Sequence, residues 1–540
     1  MQNISVIKLW VVVPYLVLAV FVLPILIVIS SIFGEWSENW SHIYEYVLFD
    51  YIYNSSLLVI GVLFVAFIVG TTSAWLVTNY RFPGKDFLEW ALILPLAVPS
   101  YILAYTFTGL FDTYGTANIM LRELLNYEEQ FSLFPNVRNL SGAIIVFSFT
   151  LYPYVYLVTR SAFLNQSQSM LEAGRLLGLN NIQVFYKIGI PIIRPALVGG
   201  LMLVAMETLS DFGAVEHFAI QTFTTGIFRT WYGMYDIQTA MQLASMLLIF
   251  IGLFVILEKY SRENAKYTTK SSTFKPKKVN TLKGQSAFLA SAFCFIPVFI
   301  GFILPISELF VWMYSYNMDY FNEKFWETAT NTIFLGIISA LLCSFFALII
   351  NFLIRLDIHN LSRVASSFLS LGYGVPGLIL AVGIVQLFVW LDKYFFIESE
   401  IILTGSLIGL IFAYVIKSYA LSNSAIESGY ERISIILDES ARTLKTGNFR
   451  LLSKIHVPLL KTSLLTSTLV VISEVVKELP ATLILRPFNF ETLAVSTYIY
   501  AAEERMIQAS APAIAIVLVG LIPIIILTKM IRSSRIGRQR

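Results

Sequence analysis

The sequence predicts an all-α polytopic membrane protein of about twelve transmembrane helices, arranged as two parallel six-helix repeats. Three observations predict it. The 540 residues are 57% hydrophobic and only 13% charged, against about 45–50% and about 25% in soluble domains. Apolar runs able to cross a bilayer, roughly 20 residues each, recur along the whole chain. The second half repeats the first. With a mean hydropathy of +0.74, this excludes an ordinary soluble enzyme and a disordered chain. The net charge of +3 is too small to argue for nucleic acid. Cys294 and Cys343 lie inside apolar runs and read as buried thiols, not as a disulfide framework or a metal site.

The apolar runs lie near 11–33, 55–79, 88–111, 141–162, 194–214, 238–258, 286–310, 331–354, 364–391, 401–422, 464–485 and 509–530. Their length argues for helices, because a barrel shows short alternating segments. The first has no small-residue cleavage site before Ile32-Phe33 and reads as a retained span. Pro95 and Pro99 in the third run, and Gly374 to Gly377 in the ninth, predict kinks or breaks. With the N-terminus inside, 29 of the 37 Lys and Arg residues fall in cytoplasmic segments and 7 in outer loops, with Lys477 inside a span. The bias predicts that both termini are cytoplasmic. The basic stretch 259–285 reads as the linker between a first half (1–258) and a second (286–540), with a charge that also suits anionic lipid.

The repeat is read from constant offsets. Asn54-Ser55 matches Asn331-Thr332, and Val98-Pro99 matches Val375-Pro376, both at 277. Glu172, Arg175, Leu177, Lys187, Ile188 and Pro191 match Glu439, Arg442, Leu444, Lys454, Ile455 and Pro458 at 267. The same offset pairs Glu207 with Glu474, Asp211 with Glu478, Thr225 with Thr492, Trp231 with Tyr498 and Asp236 with Glu503. Six spans separate equivalent positions. That even number keeps both copies in one orientation, and a parallel repeat puts its pathway at the interface between copies.

The loops before the fifth and eleventh spans, about 163–193 and 423–463, each predict a short helix, a turn and a second helix ending at a proline. Asn180 and Gly447 are expected to take the left-handed conformation, and Asn181 and Asn448 to cap the next helix. A duplicated cytoplasmic hairpin predicts a paired docking surface. The bland alternative is a loop packed under its own bundle.

These hairpins resemble the EAA loop of permease subunits of binding-protein-dependent ABC importers: a Glu-Ala-Ala-like start, a glycine soon after, and a proline 19 residues past the Glu. In the first half Glu172, Ala173, Gly174, Arg175, Gly178 and Pro191 carry the resemblance. In the second, Glu439, Ser440, Ala441, Arg442, Gly447 and Pro458 carry it, with Ser440 and Lys445 departing from the pattern. Asp211-Phe212-Gly213-Ala214, Gln221 to Ile227, Lys477 to Thr482 and Phe490 to Ala494 narrow it to fused permeases resembling those of ferric-iron importers. Fused thiamine and organophosphonate permeases share this architecture. The resemblance implies a type I importer-like fold in the bacterial inner membrane. It also implies two ATPase subunits gripping the hairpins, a binding protein outside, and alternating access between. The chain itself is then not an enzyme and binds no cofactor, and ATP is used by the partner. No Gly-x-x-x-x-Gly-Lys-Ser/Thr loop occurs, since Asp86 follows Gly84-Lys85.

Acids inside spans are costly and usually face a cavity. Glu207 and Asp211, four apart, are expected on one helix face, and Glu474 with Glu478 repeats this. They are the candidate pathway, with transient contact of iron at Glu207 and Glu474 and no fixed metal site. The structural alternative pairs Glu474 with Lys477. Trp231, Asp236, Tyr498 and Glu503 are candidate outer-face contacts, and His456 reads as an ordinary loop residue. The rival class, a major-facilitator secondary transporter, lacks its Gly-x-x-x-Asp-Arg-x-Gly-Arg signature after the second span, where Asn79 to Gly84 stands. A channel or scaffold is the third class.

Overall fold

A computed structural model describes residues 4–126, 134–166, 168–263, 280–315, 319–356, 361–395 and 402–536, and helix dominates throughout. Among the described residues ten helices are long and apolar enough to cross a membrane, and two bent helix pairs, each taken as one span, raise the number to twelve. The straight spans are Tyr15–Phe33, Asn39–Asn79, Leu140–Asn165, Asn181–Ser210, Ile237–Ile256, Gln285–Ser315, Glu323–Arg355, Gly377–Tyr394, Leu407–Tyr430 and Met506–Ile526. The bent pairs stand third and eleventh. Lys85–Ala97 meets Ser100–Leu125 at 94°, and Asn448–Leu459 meets Lys461–Lys477 at 74°. Residues 264–279 of the basic stretch lie outside the described residues.

Proline explains the breaks in the third and ninth spans. The residue before a proline is driven from helical to extended backbone, and Val98 and Val375 sit at ψ 111 and 123. A 3-10 turn precedes each, Leu94–Ala97 and Leu371–Gly374, and a new helix follows at Ser100 or Gly377.

The fifth and eleventh spans end one residue before an acid. The helices stop at Ser210 and Lys477, and Asp211 and Glu478 are extended, with ψ 139 and 116. The expected shared helix face of Glu207 with Asp211, and of Glu474 with Glu478, is therefore corrected. Each second acid caps a following short helix, accepting from the Ala214 N–H at 2.8 Å and the Ala481 N–H at 3.2 Å. A carboxylate that satisfies these otherwise orphaned donors favours a new helix start over continuation.

The first span of each set of six lies on the other set. Phe21 packs edge-on against Phe346, Phe412 and Tyr419 at 5.8–6.1 Å between ring centroids. In exchange, Trp312 of the seventh span packs on Gly109, and Gly301 packs against Pro95 and the Phe149 carbonyl. A two-residue parallel ladder pairs Tyr80 with Asn280 and Arg81 with Thr281, tying the start of the second set to the end of the second span.

Candidate functional site

The breaks converge on a cavity of about 100 Å³, lined from both sets of spans and containing all four expected acids. Glu207, Asp211, Glu474 and Glu478 share it with Ser100, Tyr101, Thr150, Tyr154, Lys417 and Lys477. The Lys477 ammonium lies 3.1 Å from Glu474, as the structural alternative expects. Glu478 is paired with Lys417 from the tenth span. The sequence count puts Lys417 with a cytoplasmic loop. It stands mid-helix in Leu407–Tyr430 instead, and an offset of 267 makes it the counterpart of Thr150.

The first-repeat acids are held differently. The Ser100 hydroxyl and the Ala214 N–H donate to Asp211, and the Tyr373 hydroxyl donates to Glu207 at 2.7 Å. Tyr373 sits in the 3-10 turn of the ninth span, so this bond joins the two sets, with Tyr154 3.4 Å from it. No group of three or more His, Cys, Asp or Glu residues arranged to hold a metal occurs among the described residues. The cavity is thus lined by polar and charged groups drawn from both sets of spans.

A second constellation is the pair of hairpins. Gln168–Leu176 and Ile435–Thr443 are each followed by a turn and a second helix starting at Asn181 or Asn448. In both, an N–H bonds back five residues, Leu179 to Gly174 and Thr446 to Ala441, a Schellman-type ending. The left-handed residues are Gly178 (φ 84) and Lys445 (φ 55). The expectation for Asn180 and Gly447 is corrected: both are extended and serve as the N-caps, Asn180 in a capping box with Gln183. Asn181 and Asn448 are first helical residues. The left-handed site explains why Lys445 departs from the glycine of the pattern at some cost in backbone energy.

Glu172, Ala173, Glu439, Ser440 and Arg442 are exposed, Gly174 and Ala441 are buried, and Arg175 is half-buried. Pro191 and Pro458 each follow a π-helical turn, Phe185–Gly189 and Leu452–His456, inside the helices that start at Asn181 and Asn448. Sequence reading missed the apolar side chains that the hairpins expose: Leu177 (83%) with Leu444 (80%), and Ile182 (68%) with Phe449 (72%). Each pair is separated by 267, so the offset already carried the signal. Exposed apolar residues repeated on two equivalent hairpins suit an interaction surface. His456 is not an ordinary loop residue. It is fully buried, 2.8 Å from Asp438, which also pairs with Arg355 of the eighth span. Burial disfavours the charge on Asp438, but the bonds from Arg355 and His456 win and hold its carboxyl below the usual range. This anchors the second hairpin by charge. The first relies on buried Leu171 and on Trp75 packed edge-on against Phe163 and tilted against Phe185.

Residues 63–258, which contain the first hairpin, Glu207 and Asp211, match the family described as binding-protein-dependent transport system inner membrane component. The chain is 25% identical over 481 residues to an Fe(3+)-transport system permease protein, FbpB 2, of Haemophilus influenzae, covering 88% of this chain and 89% of that one. A ferric transport system permease protein, FbpB, of Actinobacillus pleuropneumoniae is 24% identical over 72% of this chain and 56% of its own length. The sulfate transport system permease protein CysT of Salmonella typhimurium is 30% identical over 148 residues, 27% of this chain and 50% of that one. Residues 63–258 thus carry the match to the binding-protein-dependent inner-membrane permeases, and the similarity to the Haemophilus influenzae ferric permease extends over 88% of the chain.

The permease is therefore a multi-pass inner-membrane component of an ABC importer and not its catalytic subunit. Such a system implies an ATPase and a binding protein as partners. The loops after the fifth and eleventh spans of the permease correct the expected pairings. Asn54 donates to the Gln221 carbonyl and Asn331 to the Glu491 carbonyl, while the Ser55 and Thr332 hydroxyls accept from the N–H groups of Phe223 and Leu493. Thr222, not Thr225, is thus the counterpart of Thr492, at an offset of 270. The connection after the second break is three residues longer, and the left-handed Ala219 and Asn489 keep that new offset. Tyr498 then answers to Phe228, and both rings contact Phe212. Trp231 and Tyr498 are not equivalents.

Nor are Asp236 and Glu503. The left-handed Tyr235 and Glu504 make Arg505 the counterpart of Asp236. Asp236 is also engaged internally, accepting from Ser37, Asn39 and Thr239 at 2.6–3.0 Å. Burial opposes its charge, yet these bonds carry its carboxyl down to about 2. These loops instead expose Tyr235 (90%) and Phe488 (96%).

Proposed function

We propose that the permease carries ferric iron from an outer binding protein to the cytoplasm, through the acid-lined cavity, as two hairpin-docked ATPase subunits close on ATP. The reading takes 1–258 and 286–540 as the two halves and both termini as cytoplasmic. The observation that carries the cargo is the cavity lining: four carboxylates against two lysines attract a cation, and their oxygens suit a hard ion. The ferric permeases that match most of this chain support it. Lys417 and Lys477, with the similarity to sulfate permeases, favour a second reading in which the cargo is an oxyanion such as sulfate or a phosphonate. Both lysines are already paired with carboxylates, which supports iron over an anion.

The double variant Glu207→Gln with Glu474→Gln tests this in vesicles carrying the whole transporter. Ferric uptake should fall at least tenfold while the ATPase stays bound, and Glu35→Gln should change nothing. Wild-type iron uptake by the double variant would make these acids structural. Uptake of sulfate, a phosphonate or thiamine in place of iron would remove the cargo assignment.

Orientation has its own test. Cysteines at Glu38 and Phe488 should label with an impermeant thiol reagent from outside, and one at Leu444 should not. The native Cys294 and Cys343 are buried and give a low background. Outside labelling at Leu444 would invert the topology.

A further inference from the structure

We propose that the cation subsite of this passage is one-sided: Tyr101 and Asp211, both from the first half, supply its phenol and carboxylate oxygens. The inference rests on the ferric-iron reading above and goes beyond it by naming the donors: Tyr101, whose place in the repeat is taken by Leu378, and Asp211, whose counterpart Glu478 is paired with Lys417.

Three observations carry it. The acids of the second half are already neutralised, Glu478 by Lys417 and Glu474 by Lys477. Asp211 is held by neutral donors, the Ser100 hydroxyl and the Ala214 N–H. A carboxylate held by hydroxyl and amide donors keeps its charge for an arriving cation. One paired with an ammonium must first lose it. Finally, the Tyr101 side chain lines the cavity and is 4% exposed, and its buried hydroxyl has no hydrogen-bond partner among the described residues. Buried hydroxyls are nearly always satisfied, so an orphan on a cavity wall marks a place that a ligand completes. Gly213 allows this arrangement. A Cβ there would stand 2.9 Å from the Tyr101 Cβ and 2.7 Å from the Leu479 side chain, so a larger residue would displace the ring from the cavity wall that it shares with Asp211.

When ferric ion binds, an Fe–O bond forms to the Tyr101 oxygen as the hydroxyl proton leaves to water. Asp211 adds a second oxygen, and iron stays in the ferric state. A ferric phenolate absorbs visible light, which gives a readout independent of transport.

The experiment adds ferric ion, as its nitrilotriacetate chelate, to the purified permease in complex with its ATPase, and measures iron uptake in parallel vesicles. The wild type should develop the visible band. Tyr101→Phe should lose it and lower uptake at least tenfold with the ATPase retained, because the change removes only an unpartnered hydroxyl. Asp211→Asn should weaken the band. Tyr152→Phe also removes a buried, unpartnered hydroxyl but lies outside the cavity lining, and should match wild type. An unchanged band in Tyr101→Phe, or wild-type iron uptake with no band at all, would overturn the subsite and leave the iron reading standing. Absence of iron uptake by the wild type would overturn both.

Discussion

Replacing Leu177 and Leu444 together by Asp should strip the ATPase from the permease while the permease still inserts and folds. Both side chains are more than three-quarters exposed, so the change removes no internal packing. Anchors buried at the centre of an interface are worth about 2 kcal/mol or more each, and two of them amount to roughly a thousandfold in affinity. Co-purification and stimulated ATP hydrolysis read the result. Replacing Glu172 and Glu439 together should act in the same direction, and either alone should lower coupled transport. Full retention of the ATPase by the double Asp variant would mean that the hairpins are not the docking surface. The two hairpins need not contribute equally. The second carries a strained Lys445 and a charged anchor of Asp438, His456 and Arg355, which the first replaces by aromatic packing.

The second large effect is expected at Lys417. Changing it to Met leaves Glu478 buried, with its ammonium partner gone. Breaking one side of a buried pair costs about 3–5 kcal/mol, a large share of the stability of an ordinary domain. The single variant should therefore lose thermal stability sharply in detergent. Combining it with Glu478→Gln removes both charges and should restore most of that loss, since replacing a whole pair is often near neutral. If the double variant is no more stable than the single one, the Lys417–Glu478 pair is not what holds this wall of the cavity.

Much of this architecture is legible in the residues because the forces that set it are local. Span positions follow from hydropathy, and the breaks at Val98-Pro99 and Val375-Pro376 follow from proline sterics. The four acids could be picked out because charge is costly where apolar runs surround it. Three things were not legible. Asp211 and Glu478 keep a helical spacing in sequence, yet their ability to cap the next short helix ends the spans before them. Lys417 lies near the end of an apolar run, and only its partner Glu478, 61 positions on, shows that it belongs in the cavity. The Tyr373 bond to Glu207 spans 166 positions and has no local signal. The outer-loop pairings failed for a simpler reason: three extra residues after Glu478 shift the register, and similar residue types at the old offset concealed the shift.

The function proposed for this permease is the inward movement of ferric iron at the expense of ATP. The most direct measurement reconstitutes it in vesicles with its ATPase and binding protein, and follows ferric iron and sulfate side by side with and without ATP on the ATPase side. Iron should accumulate only when ATP and both partners are present, and sulfate should not accumulate. Sulfate accumulation without iron, or iron uptake that continues without ATP, would contradict it.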